Sequence, residues 1–224
     1  MDSPRILPCG DSALSVEFGK TIDPLINQKV QILYKRIKAD PPPGLIDLIP
    51  TYRSLLIQYD PLKLSFETLK QRVFSFVGLP EGRADIGGRK MEIPVCYGKE
   101  FGPDLEEVAS LHQMTVDEVI SLHTASTYQV YLIGFTPGFP YMGGLDERLF
   151  TPRKTTPRES VPAGTVGIAG QQTGIYPLES PGGWQLIGRT PVRIFDLTKA
   201  DPFYLRPGDQ VTFKAISEQE FENY

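Results

Sequence analysis

The segment Gly134-Phe-Thr-Pro-Gly-Phe-Pro-Tyr141 opens a stretch, ending at Gly188, that holds 11 of the 21 glycines and 7 of the 21 prolines of the chain. Glycine permits turns and close backbone approach, and proline fixes φ between them. Flexible linkers are low in complexity and poor in aromatic residues, whereas rings, glutamines and arginines are interleaved here. We therefore predict ordered loops between short strands, and such loops often carry binding and catalytic residues.

The sequence around these loops predicts a closed β-barrel over residues 91–224. Short strands are predicted at residues 91–97, 128–135, 192–195 and 210–214, with two short helices at 104–112 and 115–124. Asp104 with Glu107, and Thr115 with Glu118, have the spacing of a capping box. Many short strands, few helices and Gly/Pro-rich connections are typical of a barrel.

Residues 1–80 predict a separate domain. Alternation at 14–18 indicates a half-buried strand, and Asp23-Pro24 begins a helix whose apolar face follows. Two strands at 45–49 and 54–59 precede a second helix that Ser65 caps. The order β-α-β-β-α predicts a ferredoxin-like α+β domain, with residues 81–90 as the linker. The apolar side chains predicted on the inner faces of the helices are Ile22, Leu25, Ile26, Val30, Leu33, Ile37, Phe66, Leu69, Val73 and Phe76.

Composition excludes several classes of protein. A hydrophobic content of 40% in 224 residues supports a packed core, and no apolar run is long enough for a membrane span. The first residues lack a signal peptide and Cys9 and Cys96 are isolated, so we expect a cytoplasmic protein without disulfides or a metal site. The net charge of −4 argues against nucleic-acid binding. Within 151–193, however, five cationic side chains face two acidic ones, which indicates either an anionic ligand or partner or an ordinary solvated surface.

The chain resembles the family of KipI and the 5-oxoprolinase B subunit, also called allophanate hydrolase subunit 1, over nearly its whole length. The resemblance implies a cyclophilin-like barrel and a role as the B subunit of a bacterial ATP-dependent 5-oxoprolinase. In that enzyme the A, B and C subunits together open 5-oxoproline to glutamate, and ATP with magnesium is used by the complex without a cofactor bound by the B subunit alone. A branch of the family instead inhibits the autophosphorylation of a sporulation histidine kinase. The motifs that carry the resemblance are Glu92-Ile-Pro-Val-Cys-Tyr-Gly98, Gly102-Pro-Asp-Leu-Glu106, Gly134-Phe-Thr-Pro-Gly-Phe-Pro-Tyr141, Val161-Pro-Ala-Gly-Thr-Val-Gly-Ile-Ala-Gly170 and Ser180-Pro-Gly-Gly-Trp-Gln-Leu-Ile-Gly-Arg-Thr190.

A small lactam with a carboxylate needs cations for its charge, amides for its edge and a shaped wall. Arg153 and Arg158, each after Thr-Pro, are the candidate cations, although either could bond loop carbonyls instead. The candidate amide readers are Gln171, Gln172 and Gln185, and the candidate wall residues are Phe139, Tyr141, Tyr176 and Trp184. The alternatives are that Gln171 and Gln172 close turns and that Trp184 plugs the barrel.

His123 lies at helical spacing from Val116, Val119 and Ile120, so it is either a buried histidine with satisfied nitrogens or a general base near the loops. The sequence contains no Walker A loop, no nucleophile elbow and no metal-ligand cluster. We therefore expect this chain to supply one wall of a site that a partner completes. The other hypotheses are a kinase inhibitor and, by analogy of fold alone, a prolyl isomerase.

Overall fold

The computed structural model describes residues 4–77 and 88–224. The chain divides into two compact units, Met1–Ile86 and Gly87–Tyr224. Most of the predicted linker, residues 81–87, lies outside the described residues, so the predicted domain boundaries stay a prediction. In the described ranges, no helix combines the length and the apolar character needed to cross a membrane.

The N-terminal unit is an antiparallel sheet with the order β1-β2-β4-β3 and two helices. Leu14 of β2 pairs with Ile57 of β4, and both lie in one core with residues of the two helices. Strand β1 was not predicted, because four residues are too few to display an alternating pattern. The ferredoxin-like assignment stays a prediction, since this extra strand occupies the edge beside β2. The elements are β1 (Arg5–Pro8), β2 (Ala13–Glu17), α1 (Pro24–Ala39), β3 (Leu45–Pro50), β4 (Ser54–Tyr59) and α2 (Phe66–Val77).

Helix α1 begins as predicted, because the Asp23 carboxylate accepts a hydrogen bond from the Leu25 N–H at 2.7 Å. The predicted inner face is right from Val30 onward and wrong at Leu25, which is 68% exposed. In this first turn the buried position belongs to Asn27, whose amide donates to the Thr51 carbonyl at 3.0 Å. A polar anchor to the neighbouring turn therefore replaces the apolar contact that periodicity predicts.

The C-terminal unit confirms the predicted closed β-barrel. Seven strands close it in the order β10-β7-β6-β13-β5-β12-β9, in which only the β5–β13 pair is parallel. Strands β8 and β11 form a separate two-stranded ribbon. The strands are β5 (Lys90–Tyr97), β6 (Thr127–Ile133), β7 (Pro140–Gly143), β8 (Arg158–Val161), β9 (Thr165–Ala169), β10 (Gln172–Ile175), β11 (Ser180–Gly182), β12 (Gln185–Arg189) and β13 (Gln210–Ala215). The helices are α3 (Leu105–Leu111), α4 (Val116–Ala125) and α5 (Glu218–Glu222), with a 3-10 turn at Glu147–Leu149.

Two local predictions in this unit have different outcomes. Thr115 and Glu118 form the predicted capping box at the start of α4. Residues 192–195, however, are not a strand, because Phe195 makes only an isolated bridge to Phe203. The apolar run there contributes packing without a ladder of backbone hydrogen bonds.

The barrel wall carries a different cluster on each side. On β9, Ile168 belongs to the large barrel core, and the next residue, Ala169, belongs to a second cluster with Trp184 and Leu186. This follows from the two-residue period of a strand, which sends successive side chains to opposite faces. The side of the wall on which a candidate residue lies therefore decides what it can reach.

Candidate functional site

Four predicted wall residues meet in one cluster, the aromatic face, which consists of Phe139, Tyr141, Tyr176 and Trp184. The Phe139 ring centre lies 4.8 Å from that of Tyr141, 5.2 Å from Tyr176 and 5.4 Å from Trp184. Gly174 of β10, which pairs with Tyr141 of β7, leaves the space that Phe139 fills. A Cβ at Gly174 would lie 2.8 Å from Cζ of Phe139. Tyr141 is half-buried, so the cluster is both packed and accessible.

Arg153 lies over this face with its positive charge uncompensated. Its guanidinium carbon is 5.9 Å from the centre of the Trp184 ring, and it forms no ion pair within residues 4–77 and 88–224. Burial raises the pKa of Tyr176 and of Tyr141, and the charge of Arg153 opposes that rise. Both phenols are therefore protonated near neutral pH, and an anion beside Arg153 would meet a fork of N–H donors.

Arg158 has a different environment from Arg153, because it is paired within the protein. Its Nη2 donates to Oδ1 of Asp104 at 2.6 Å, and Nζ of Lys154 lies 3.0 Å from the same oxygen. Oδ2 of Asp104 accepts the Leu186 N–H at 2.7 Å. The Asp104 side chain is only 4% exposed, so this carboxylate joins the start of α3 to strand β12 and to the loop that carries Arg153.

Sequence reasoning missed this role of Asp104. Its spacing to Glu107 predicted a capping box, but its side chain makes no capping hydrogen bond to α3. The partners Arg158 and Leu186 are 54 and 82 residues away in sequence. A carboxylate at a cap position beside a cation-rich stretch was the available signal, and it does not identify which cation is the partner.

Two of the three candidate glutamines are separated by the turn between β9 and β10. Gln171 is exposed in that turn, after Gly170 with φ +56°. Gln172 is buried and pairs with Ala169, whose side chain belongs to the cluster that contains the aromatic face. Gln172 therefore lies on the same side of the wall as that face, whereas Gln171 matches the alternative prediction of a turn residue.

Gln185 supports the loop of Arg153 from the other side of the wall. It pairs with Ile168 of the barrel core, is 6% exposed, and donates from Nε2 to the Pro152 carbonyl at 3.1 Å. The neighbouring Thr151 is held by a bridge to Gly170. These contacts fix the backbone immediately before Arg153.

His123 lies in the barrel core, with no exposed surface. The Thr173 hydroxyl donates to the Gly167 carbonyl at 3.1 Å, so it must accept from Nε2–H of His123 at 3.0 Å. Nδ1 then accepts from the Tyr97 hydroxyl at 2.7 Å. Burial lowers the pKa of His123 to about 3. These contacts favour the buried, neutral histidine over the general base near the loops.

Comparisons with known proteins agree with this architecture. Residues 4–205 match the family described as carboxyltransferase domain, subdomain C and D. The chain is similar to the 5-oxoprolinase B subunit of Bacillus subtilis (strain 168), with 46% identity covering 98% of this chain and 96% of that protein. It also resembles the solved structure of TTHA0988, with a TM-score of 0.82 and 42% identity over 92% of this chain, although it spans only 40% of that longer chain. The urea amidolyase of K. lactis shares the fold, with a TM-score of 0.75 at 23% identity over 98% of this chain and 15% of its own.

Proposed function

The chain belongs to the family of the carboxyltransferase domain, subdomain C and D, and to its group of 5-oxoprolinase B subunits, and we propose that it is the B subunit of a cytoplasmic, ATP-dependent enzyme that opens 5-oxoproline to L-glutamate together with A and C subunits. The observation that carries the proposal is full-length similarity to a protein of that name. We further propose that the barrel is of the cyclophilin type and the N-terminal unit of the ferredoxin type.

The substrate-binding part of the proposal rests on the aromatic face. 5-Oxoproline is a five-membered lactam with one carboxylate, so it needs one cation, a flat wall and amide-compatible polar groups. Arg153 supplies an uncompensated guanidinium beside Trp184, and the neutral phenols of Tyr141 and Tyr176 supply donors. Gln172 lies on the same side of the wall. We propose that Arg153 binds the carboxylate and that the rings orient the lactam.

This chain supplies binding and orientation, and we propose that a companion subunit supplies the reacting groups. Ring opening adds water to the amide carbon and breaks the carbon–nitrogen bond, which requires a base for the water and a proton for the leaving amine. His123 is neutral inside the barrel and Arg158 is held by Asp104, so neither has the position for these steps. The incomplete set is consistent with a site at an interface between subunits.

The described residues do not fit ATP with magnesium. Within residues 4–77 and 88–224 there is no group of three His, Cys, Asp or Glu side chains that could hold a metal, and Asp104 and Glu107 are already paired with Lys154. Phosphorylation of the amide oxygen is the activation that the nucleotide would supply in the complex. We therefore assign the nucleotide site to a companion subunit.

Inhibition of a sensor histidine kinase is not favoured, because the most similar curated proteins are named for 5-oxoprolinase. The experiment that tests the proposal is reconstitution of this chain with homologues of the A and C subunits, followed by measurement of glutamate release from 5-oxoproline with ATP. We expect Arg153→Gln to lower kcat/KM by ~100-fold, because a charged hydrogen-bond pair is worth on the order of 3 kcal/mol. Arg148→Gln, which removes an exposed arginine paired locally with Asp146, is the matched control. Full activity of Arg153→Gln would remove Arg153 from the proposal, and no glutamate release by the unaltered complex would refute the function itself.

A further inference from the structure

Phe135 has a backbone conformation that large side chains rarely adopt. Its φ is +66°, in the left-handed region, where bulky residues are strained. Within the described residues, the other non-glycine residues with positive φ are Lys99 and Gln113, which have long polar side chains. Phe135 is also 63% exposed, so the strained position presents a large apolar ring to solvent.

The loop that holds Phe135 is closed by backbone hydrogen bonds. The Gly134 N–H donates to the Phe139 carbonyl at 3.0 Å, and the Phe139 N–H donates to the Thr136 carbonyl at 3.1 Å. The Phe135 ring lies edge-on to the Phe139 ring, with 5.7 Å between the centres. Because Phe139 belongs to the aromatic face, the strained loop fixes an exposed ring at the border of the candidate site.

The apolar surface continues beyond this loop. Gly138 packs so closely on Phe195 that a Cβ there would lie 2.9 Å from the Phe195 Cβ. Phe195 contacts Phe203, which is 38% exposed, with 5.4 Å between ring centres, and Leu197 nearby is 80% exposed. A groove of about 590 Å³ adjoins them and is lined by Leu178, Arg189, Arg193, Phe195, Leu197 and Phe221, among others. Exposed aromatic rings with arginine at the margin are typical of the centre of a protein interface.

On the basis of the proposed function, we propose that the Phe135 ridge, formed by Phe135, Leu197 and Phe203, is the docking surface for a companion subunit, and that Phe135 is its anchor. A companion is expected, because this chain spans only 40% of the chain of the solved TTHA0988 structure and its relatives are named as a subunit. A second copy of this chain would bring the same incomplete set of groups to the aromatic face. A different subunit docked on the ridge would cover that face and bring the groups that it lacks.

The test separates the ring from the strain. Asparagine tolerates the left-handed region, so Phe135→Asn removes the ring and relieves the backbone. We expect the isolated variant to melt at or above the temperature of the unaltered chain. Its Kd for the purified homologue of the C subunit should rise by at least ~10-fold, mainly through faster dissociation. Phe135→Tyr, which keeps the ring, should restore binding, and Leu111→Asn, an exposed leucine on α3, is the matched control.

Each outcome bears on the inference. An unaltered Kd for Phe135→Asn, in a complex that releases glutamate, would overturn the inference and leave the proposed function intact. A dimer of the isolated chain that Phe135→Asn dissociates would identify a second copy as the occupant and would also overturn it. If the unaltered chain neither bound the homologue nor supported glutamate release, the proposed function would fail and this inference with it.

Discussion

Acid should destabilise the barrel through a single buried imidazole, that of His123. The ring has no exposed surface, and both of its nitrogens are used in neutral hydrogen bonds with Tyr97 and Thr173. Burial lowers its pKa to about 3, whereas an unfolded histidine titrates near ~6.5. As the pH falls below ~6.5, the unfolded chain therefore takes up a proton that the folded barrel refuses until about pH 3.

The size of the effect follows from this difference in proton binding. The stability associated with a neutral His123 is fully present above the unfolded pKa and is lost progressively as the pH falls toward the folded one. Between pH 7 and pH 5 the unfolded state gains about 2 kcal/mol from this proton, with almost no compensation in the folded state. His123→Gln removes the titrating group, so its loss of stability over the same interval should be smaller by that amount.

Urea unfolding can isolate this effect, because Trp184 is the only tryptophan in the chain and lies in the barrel unit. Its fluorescence gives the free energy of unfolding at pH 7 and pH 5 for the parent, for His123→Gln and for His112→Gln, which controls for the loss of a histidine. If His123→Gln does not fold, an NMR titration of the parent replaces it, and we expect a neutral ring protonated on Nε2 from pH 7 to pH 5. A ring that titrates near pH 6.5, or equal acid losses in parent and His123→Gln, would refute the reasoning.

Three further predictions concern contacts of the same unit, each measured by urea unfolding. Asp104→Asn should destabilise the barrel by about 3 kcal/mol, because Arg158 and Lys154 lose their buried partner; unchanged stability would contradict the ion-pair assignment. Gly174→Ala should cost about 2 kcal/mol through overpacking against Phe139, and a neutral effect would mean that the aromatic face can yield. Thr115→Ala should cost about 1 kcal/mol through loss of the capping box of α4, and a stabilising effect would exclude that cap.

Features set by neighbouring residues could be predicted from the sequence. The Asp23 cap of α1 and the Thr115–Glu118 box involve residues no more than three positions apart. The barrel was also predictable as a class, because alternation and turn residues repeat along the chain. Its strand order was not, since the parallel pair joins residues 90–95 to residues 210–215, far apart in sequence.

The candidate site shows the same division. Arg153 and Arg158 both follow Thr-Pro, yet one lies uncompensated over Trp184 and the other is paired with Asp104. Their local sequences are alike, so only the distant partner distinguishes them. Likewise, helical spacing placed His123 on an apolar stripe, but its partners Tyr97 and Thr173 come from strands 26 and 50 residues away. Local pattern therefore predicted the residue types of the site, and tertiary contacts decided their roles.

The central claim is that the aromatic face binds 5-oxoproline once a companion subunit has closed it. The most direct measurement is ¹⁹F NMR of the single tryptophan, Trp184, fluorinated in this chain only and assembled with unlabelled A and C subunits. We predict that 5-oxoproline shifts this resonance saturably in the complex, and that Arg153→Gln abolishes the shift at the same concentrations. A complex that releases glutamate while the Trp184 resonance stays unmoved at saturating 5-oxoproline would contradict the claim.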